Sequence, residues 1–322
     1  MTCLFRIPLA AALLGAAIVA SAQTYPSGPV RIVVPSAPGT QSDLVARAIA
    51  QRLAPVLGQP VLVDNRPGAD GMLAVEALVN APADGLTLAN VQSGSLTLAP
   101  TLYPDRVRYD PERDLAAITH TVRATFILTV NSQLPVRNIK ELVAHTKANP
   151  RTGAIGHMPG VAYLGALVAK SVTQADVELI AYKGQPAIWT DLLGGRIHGG
   201  IEPLGGAFNQ IRAGKLRAIA LLGSARSALI PDVQTGTEQG FPGLEVDAWN
   251  ALFARAGTPP AIIERLHREV VRILSAPELR ESMLGQGMEL ETSDPATLAQ
   301  RVRTDRVKWA KLVKEFNVKA EN

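Results

Sequence analysis

The feature of this sequence that most restricts its fold is the alternation of short β-branched runs with longer amphipathic segments. The first example is Val30–Asp43, where the strand-like VRIVV is followed by a Pro/Gly turn and the start of a helix. The same order repeats along most of the chain. Such alternation is typical of βαβ units, whose parallel strands form sheets covered by helices. The sequence therefore predicts an α/β protein.

Two β-type segments without an obvious turn interrupt this alternation, Leu115–Asn131 and Leu244–Ala254. Two antiparallel crossings of this kind divide a chain into two lobes that can close about a hinge. We predict a first, discontinuous lobe of residues 23–124 and 246–322 and a second lobe of residues 125–245. A cleft would lie between them.

The N-terminal residues 1–22 have the three parts of a secretory signal peptide. Arg6 supplies the positive charge, Leu9–Ala20 is apolar, and Ala20-Ser21-Ala22 is a small-residue cleavage site. The apolar run is shorter than the roughly 20 residues that span a bilayer, although an uncleaved anchor is the alternative. Cleavage after Ala22 would place the chain in the periplasm without Cys3, its single cysteine.

Charge and composition exclude several classes of function. The net charge is +4, and 19% of the residues are charged, with basic residues spread along the chain. The densest basic cluster, Arg301–Lys314, has the spacing of the solvated face of a terminal helix, so we expect no nucleic-acid partner. None of the five histidines has the spacing of a metal site, and no catalytic or nucleotide-binding motif is present. We therefore expect no metal and no cofactor.

Two loops after predicted strands are candidates for binding an anion. The first precedes a predicted helix from Ser42 to Leu57, whose free N–H groups carry partial positive charge. Ligands of open α/β sheets bind beyond the carboxyl ends of the strands. An ordinary capped turn, with Ser42 or Asp43 as the cap, is the alternative for the first loop, and an exposed turn is the alternative for the second. The candidate residues are Ser36, Ala37, Gly39, Thr40, Ser42 and Asp43 in the first loop and Gln92, Ser93, Gly94 and Ser95 in the second.

The middle of the chain offers an opposing wall for the same cleft. Its candidates also follow predicted strands, and they are His157, Tyr182, Lys183, Gly184 and Glu202. Each has a simpler interpretation, because a lone histidine is usually structural, Lys183 can be a surface lysine and Glu202 can cap the next helix.

These segments resemble the Bug family, the periplasmic solute receptors of tripartite tricarboxylate transporters. The resemblance covers essentially the whole chain after residue 22. It is carried by motifs that include VRIVVPSAPGTQSD, NRPGADG, ADGLTLANVQSGSLTLAPTLY, YDPERDLAAIT, AYKGQPAIWTDLLGGRIHGG and FARAGTPP. It implies a two-lobed fold of the type II periplasmic-binding-protein kind. It also implies that the loops at Ser36–Ser42 and Gln92–Ser95 hold a carboxylate, and that Tyr182, Lys183, Gly184 and Glu202 face it from the second lobe.

The sequence departs from the family pattern where the resemblance matters most. Thr40 replaces the second glycine of the first loop, and His157-Met158-Pro159-Gly160 replaces a hydroxyl-rich loop. From Glu202 and His157 we expect a preference for monocarboxylates or amino- and hydroxy-acids over tricarboxylates, since a second full carboxylate would be repelled by Glu202 unless His157 or Lys183 offset it.

We therefore predict an exported, monomeric receptor, not an enzyme, that delivers a small organic acid to a membrane transporter or sensor. Its partners would be that acid and the membrane subunits of a tripartite tricarboxylate-type transporter. One alternative is an exported interaction or signalling protein that has lost small-molecule binding. The other is an exported hydrolase using Ser93, His157 and Glu202; fold alone implies no such activity.

Overall fold

The computed structural model describes residues 25–149 and 153–319 and shows a mixed α/β fold with two lobes. The predicted signal peptide at residues 1–22 lies outside the described residues. Within the described ranges, no helix combines the length and the apolar character needed to cross a membrane.

The described residues form ten strands and twelve α-helices, with a short 3-10 turn at Ala69–Gly71. The strands are β1 (Val30–Val34), β2 (Val61–Asn65), β3 (Thr87–Gln92), β4 (Leu115–Asn131), β5 (Ala154–His157), β6 (Glu178–Ala181), β7 (Gly199–Pro203), β8 (Leu216–Leu221), β9 (Asp247–Arg255) and β10 (Glu289–Leu290). The helices are α1 (Gln41–Leu57), α2 (Met72–Val79), α3 (Ser93–Thr97), α4 (Ala99–Leu102), α5 (Pro111–Asp114), α6 (Ile139–Ala148), α7 (Val161–Thr173), α8 (Gln185–Leu193), α9 (Leu204–Arg212), α10 (Pro260–Leu274), α11 (Pro277–Gly285) and α12 (Pro295–Glu315).

The first lobe is built on the parallel strands β2, β1 and β3, with β9 antiparallel to β3. Strand β1 is buried on both faces, as expected for a parallel strand covered by helices. Its residues Ile32 and Val34 pack toward α1 and α10, and Val33 packs toward α2 on the other face. This sandwich fixes the positions at which β1 and β3 end.

Strand β4 runs through both lobes and is the first of the predicted crossings. From Leu115 to Thr125 it pairs with β9, and from Phe126 onward it pairs with β7 and β8. The change of partner between Thr125 and Phe126 marks where one lobe passes into the other. In the second predicted crossing, Leu244 and Val246 still pack in the core of the second lobe, and β9, which follows them, pairs with β3 and with the first-lobe part of β4.

The second lobe repeats the arrangement with the parallel strands β6, β5 and β7 beside the antiparallel end of β4. Helices α6 and α7 cover one face of this sheet, with Leu128 and Ile155 in the core between them. Helices α8 and α9 cover the other face.

Helix α12 packs against both lobes. Its residues Leu298 and Val302 belong to the core of the first lobe, whereas Trp309 lies in the core of the second and Phe316, just after the helix, packs against that core. The predicted boundaries assign residues 246–322 to the first lobe as a whole, but the packing divides this segment along α12. The end of α12 is therefore held against the second lobe.

Candidate functional site

A cavity of about 500 Å³ lies between the two lobes. Side chains of the first lobe, the second lobe and the C-terminal tail all contribute to its wall. Its volume is within the range of about 300–1,000 Å³ that is typical of small-molecule sites. The polar residues in the wall are Gln41, Asp70, Gln92, Ser93, Ser95, Tyr103, Tyr163, Asn250 and Lys319.

The predicted loop Gln92–Ser95 lines this cavity, but it is not a loop. Residues Ser93–Thr97 form the short helix α3, with Gln92 as its N-terminal cap residue. The N–H groups of a first helical turn have no partner within the helix. A Cβ atom added at Gly94 would find the side chain of Val161, in the second lobe, at 3.9 Å. Gly94 therefore borders open space between the lobes.

Hydrogen bonds from the first lobe hold α3 in place. The Ser95 hydroxyl donates to the Asp70 carbonyl at 2.8 Å, and Tyr109 donates to the Ser95 carbonyl at 2.6 Å. The Ser93 hydroxyl accepts from the Trp249 backbone N–H at 3.3 Å. These contacts make the wall around Gln92–Ser95 a rigid part of the first lobe.

The first predicted loop is organised around the buried carboxylate of Asp43. This carboxylate accepts hydrogen bonds from the Gly39 backbone N–H at 2.8 Å, from Arg47 at 2.9 Å and from Asn65 at 2.9 Å. Burial acts to raise the pKa of Asp43, but these donors outweigh it and hold the pKa below its usual value. The expected cap is different: Thr40 is the cap residue of α1, without a side-chain bond to the helix.

Several donors of this first loop are satisfied within the protein. Gly39 donates its N–H to Asp43, and the Thr40 hydroxyl donates to the Ala37 carbonyl at 2.8 Å. The Ser36 and Thr40 hydroxyls lie 2.6 Å apart. In this conformation, neither these four residues nor Asp43 line the cavity; the adjacent Gln41 does.

Ser42 is buried behind the cavity wall rather than in it. Its hydroxyl accepts a hydrogen bond from Asn250 at 2.8 Å, and its carbonyl accepts one from Asn90 at 3.1 Å. Asn250 itself lines the cavity. The structure thus gives Ser42 a role in orienting a wall residue of the neighbouring crossing strand.

His157 ends β5 and is buried. Its Nδ1 atom lies 3.0 Å from the Met158 carbonyl, and its ring stacks on Tyr163 with 4.7 Å between ring centroids. Tyr163 lines the cavity, as does Pro159, whereas His157 lies behind them. His157 supports the wall through Tyr163 in this conformation.

The predicted turn at Tyr182–Gly184 lies outside the cavity wall. The Tyr182 hydroxyl donates to Asp191 at 2.7 Å, and burial together with this carboxylate raises the pKa of Tyr182 to about 12. Lys183 is exposed, and Gly184 is the cap residue of α8. The next residue, Gln185, connects this turn to Glu202.

Glu202 is fully buried at the end of β7. Its carboxyl oxygens accept from the Gln185 amide at 2.8 Å and the Trp189 indole at 2.7 Å, and one lies 2.7 Å from the Thr129 hydroxyl. Burial raises the pKa of Glu202, although these donors act in the opposite direction. The next residue, Pro203, lines the cavity and Glu202 does not. Glu202 therefore does not supply the repulsion that was expected from it at the wall.

Sequence reasoning missed several wall residues. Asp70 lies in the quoted NRPGADG motif, and Trp249 and Asn250 lie in the second predicted crossing, but none of them was a candidate. Tyr163 and Lys319 carried no sequence pattern that indicated a site. Their positions depend on how α7 and α12 pack.

The wall is suited to binding rather than to bond breaking. The hydrolase candidates have other partners: Ser93 accepts from Trp249, and Glu202 is held by Trp189 and Gln185. Among the described residues no group of three or more potential metal ligands occurs. Backbone groups, hydroxyls and amides surround the space instead.

Two covered sheets joined by crossing strands, with a small-molecule cavity between them, define a two-lobed solute-binding protein. The family model for the tripartite tricarboxylate transporter family receptor matches residues 45–318. The chain belongs to this family of periplasmic receptors, and the predicted fold class and family are confirmed. It is a receptor and not an enzyme.

Similarity to individual receptors extends over most of this chain. Protein BugT of Bordetella pertussis is 33% identical over 308 residues, which cover 95% of this chain and 94% of BugT. The structure of MatC from Rhodopseudomonas palustris with bound malate has a TM-score of 0.72 at 29% identity, covering 90% of this chain and 100% of MatC. The R. palustris protein Rpa4515 with adipate has a TM-score of 0.76 at 28% identity, covering 90% of this chain and 97% of Rpa4515.

Proposed function

We propose that this receptor captures a small organic carboxylate between its lobes and delivers it to the membrane subunits of a tripartite tricarboxylate-type transporter. The observation that carries the proposal is the cavity of about 500 Å³ with walls from both lobes. The lobes would divide as residues 23–124 with 246–322 and residues 125–245, in accord with the change of partners along β4, except that the end of α12 and the residues after it pack on the second lobe. Export would follow cleavage after Ala22.

A carboxylate ligand is supported by the relatives and by the wall. MatC was solved with malate and Rpa4515 with adipate, both small dicarboxylates. In this chain, residues Gln92–Ser95 would provide backbone N–H groups and the Ser93 hydroxyl to an anionic group. Waters would bridge the remaining gaps between ligand and wall.

The other predicted residues would act mainly by holding the wall. Ser42 would orient Asn250, Asp43 would fix the first loop, and Glu202 would anchor the strand end before Pro203. A ligand-induced closure of the lobes would bring the first loop nearer to the ligand.

The test is thermal unfolding of the mature chain with malate, adipate and citrate, and with the corresponding amides. We expect at least one acid to raise the unfolding temperature, because a ligand that binds the folded state stabilises it by mass action. The amides should have no effect. Stabilisation by none of the acids at millimolar concentration would contradict the proposal and favour an interaction protein without a small ligand.

Gly94→Val tests where the ligand lies. The new side chain would project into the open space in front of α3, where the nearest atom is 3.9 Å from the Cβ position. Loss of one charge-assisted hydrogen bond weakens binding by about ten- to one-hundred-fold. Gly28→Val is the control, because nothing lies within 4 Å of its Cβ position. Unchanged affinity in folded Gly94→Val would place the ligand elsewhere.

A further inference from the structure

The cavity wall carries very little formal charge. Among the described residues that line it, the charged side chains are Asp70 and Lys319, so Lys319 is the one cationic group of that wall. The formal charges of these two side chains cancel. A ligand with more than one negative charge would therefore depend strongly on Lys319.

The chain turns toward the cavity at a defined helix end. After α12, Asn317 adopts a left-handed conformation with φ of 48°. The Val318 N–H donates to the Val313 carbonyl at 2.9 Å, and the Asn317 N–H donates to the Lys314 carbonyl at 3.3 Å. This pair of bonds is the Schellman motif, which ends a helix and reverses the chain.

Apolar packing holds this turn on the second lobe. Phe316 and Val318 both pack against the core of that lobe. Val318 also lines the cavity beside Lys319. Lys319 directly follows Val318, which packs on the second lobe, so its backbone is positioned by that lobe. Residues Gln92–Ser95 belong to the first lobe. An acid bound at α3 would meet Lys319 from the opposite lobe.

We propose that Lys319 is a specificity-determining residue that pairs with the second acidic group of a dicarboxylate held at Gln92–Ser95. The proposal rests on the proposed function and names its ligand class. It replaces the expectation of a monocarboxylate, which depended on Glu202, since that side chain is enclosed by its own donors. An ammonium group on a flexible stem suits this role, because it can follow diacids of different length.

Removal of the Lys319 charge should act on dianions and spare monoanions. Without it, Asp70 would leave the wall with a net negative charge. Lys319→Gln should therefore weaken a dicarboxylate by about ten- to one-hundred-fold, the effect of one charge-assisted hydrogen bond. A monocarboxylate with the same number of carbons should change by less than about threefold.

The experiment is calorimetric titration of the mature chain with succinate, glutarate and adipate, each paired with butyrate, pentanoate or hexanoate. Lys319→Gln and Lys319→Arg are compared with Lys314→Gln, which removes a charge from the last turn of α12 before the chain turns to the cavity. We expect a selective loss for diacids in Lys319→Gln, retention in Lys319→Arg, and no change in Lys314→Gln.

The outcomes separate the two proposals. Wild-type binding of a diacid with equal affinity in Lys319→Gln would overturn the assignment of Lys319 and leave the proposed function intact. An equal loss for diacid and monoacid would also overturn it, because a structural role does not distinguish them. Wild-type binding of monoacids alone would overturn it as well. Absence of binding by every acid, including malate and citrate, would contradict both proposals.

Discussion

Gly205→Ala should force apart a backbone contact between the two lobes and so shift the receptor toward a more open arrangement. Gly205 lies in the first turn of α9, and Gly287 lies between α11 and β10. A Cβ atom at Gly205 would lie 2.6 Å from the Gly287 carbonyl oxygen. The φ of Gly205 is not in the left-handed region, so the substitution adds a steric contact and no backbone strain.

This contact lies beside the crossing strand. Strand β7, which leads into α9, pairs with β4 at Phe126, and β10 pairs with β4 at Arg123 and Val122. Those β4 residues lie on either side of Thr125–Phe126, where β4 passes from the first lobe to the second. The backbones of the two lobes thus touch next to the proposed hinge, where a small separation is amplified with distance along each lobe.

The magnitude follows from the contact distance. Cβ atoms in proteins essentially never lie within 3.0 Å of another heavy atom, so the two backbones must separate by roughly 0.4 Å, the difference between 2.6 and 3.0 Å. Overpacking a close contact costs about 1–3 kcal/mol. If ligand-bound closure must restore the contact, that cost reduces the affinity by about 5- to 150-fold.

The assay combines calorimetry with small-angle scattering on the mature chain, using the acid that stabilises it most. Gly205→Ala should bind more weakly and have a larger radius of gyration with ligand. Gly285→Ala is the matched control two residues before Gly287, because nothing lies within 4 Å of its Cβ position. Unchanged affinity and radius in folded Gly205→Ala would refute the reasoning. So would a lower unfolding temperature with unchanged affinity, since the strain would then be absorbed within a lobe.

Four further predictions concern stability and export. The stability of Glu202→Gln relative to the wild type should rise as pH climbs above 4.5. Burial raises the pKa of Glu202, so the wild type loses stability as pH climbs from that usual value through the raised one, whereas glutamine does not titrate. Glu202→Ala should lose about 1–3 kcal/mol at any pH by stranding the Trp189 donor; denaturant titration measures both. Asp43→Ala should lose about 1–3 kcal/mol near neutral pH. Because the pKa of Asp43 is lowered, the wild-type advantage should persist down to the usual value of 3.8 and shrink below it. N-terminal sequencing of exported protein should begin at Gln23, and a start at Met1 would contradict cleavage after Ala22.

The elements with strong local patterns were predictable. Helix α6 begins at Ile139 after the capping residue Asn138, whose side chain accepts from the Glu141 N–H. Helix α1 ends before Gly58, which has φ of 69°. The long strand β4 was also predictable as a crossing, because its apolar run contains no turn signal.

The short helices were not predictable from the same signals. Residues Ser93–Thr97 contain a glycine and three hydroxyl residues, which favour a turn over a helix. Tertiary bonds decide the outcome here, since Tyr109 and Asp70 hold Ser95 through backbone and hydroxyl groups. The segment was nevertheless recognisable as part of a site because it follows a strand end.

Polar residues in predicted loops are a poor guide to which atoms face a ligand. Asp43 and Glu202 both sit at positions that resemble ligand-binding ones, and both carboxyl groups have several donors within the protein. A buried carboxylate needs such donors to offset its loss of solvation. The sequence shows the acid but not the donors that enclose it, so it cannot distinguish a ligand contact from a support.

The C-terminal tail shows why lobe boundaries alone do not define this site. The crossings assign residues 246–322 to the first lobe, yet Trp309 lies in the core of the second and Phe316 packs against that core. A helix 21 residues long can span both cores, and its end then travels with the lobe that holds it. Closure would carry Lys319 with the second lobe toward the wall at Gln92–Ser95. Recognition of the second acidic group by Lys319 would thus be linked to closure itself.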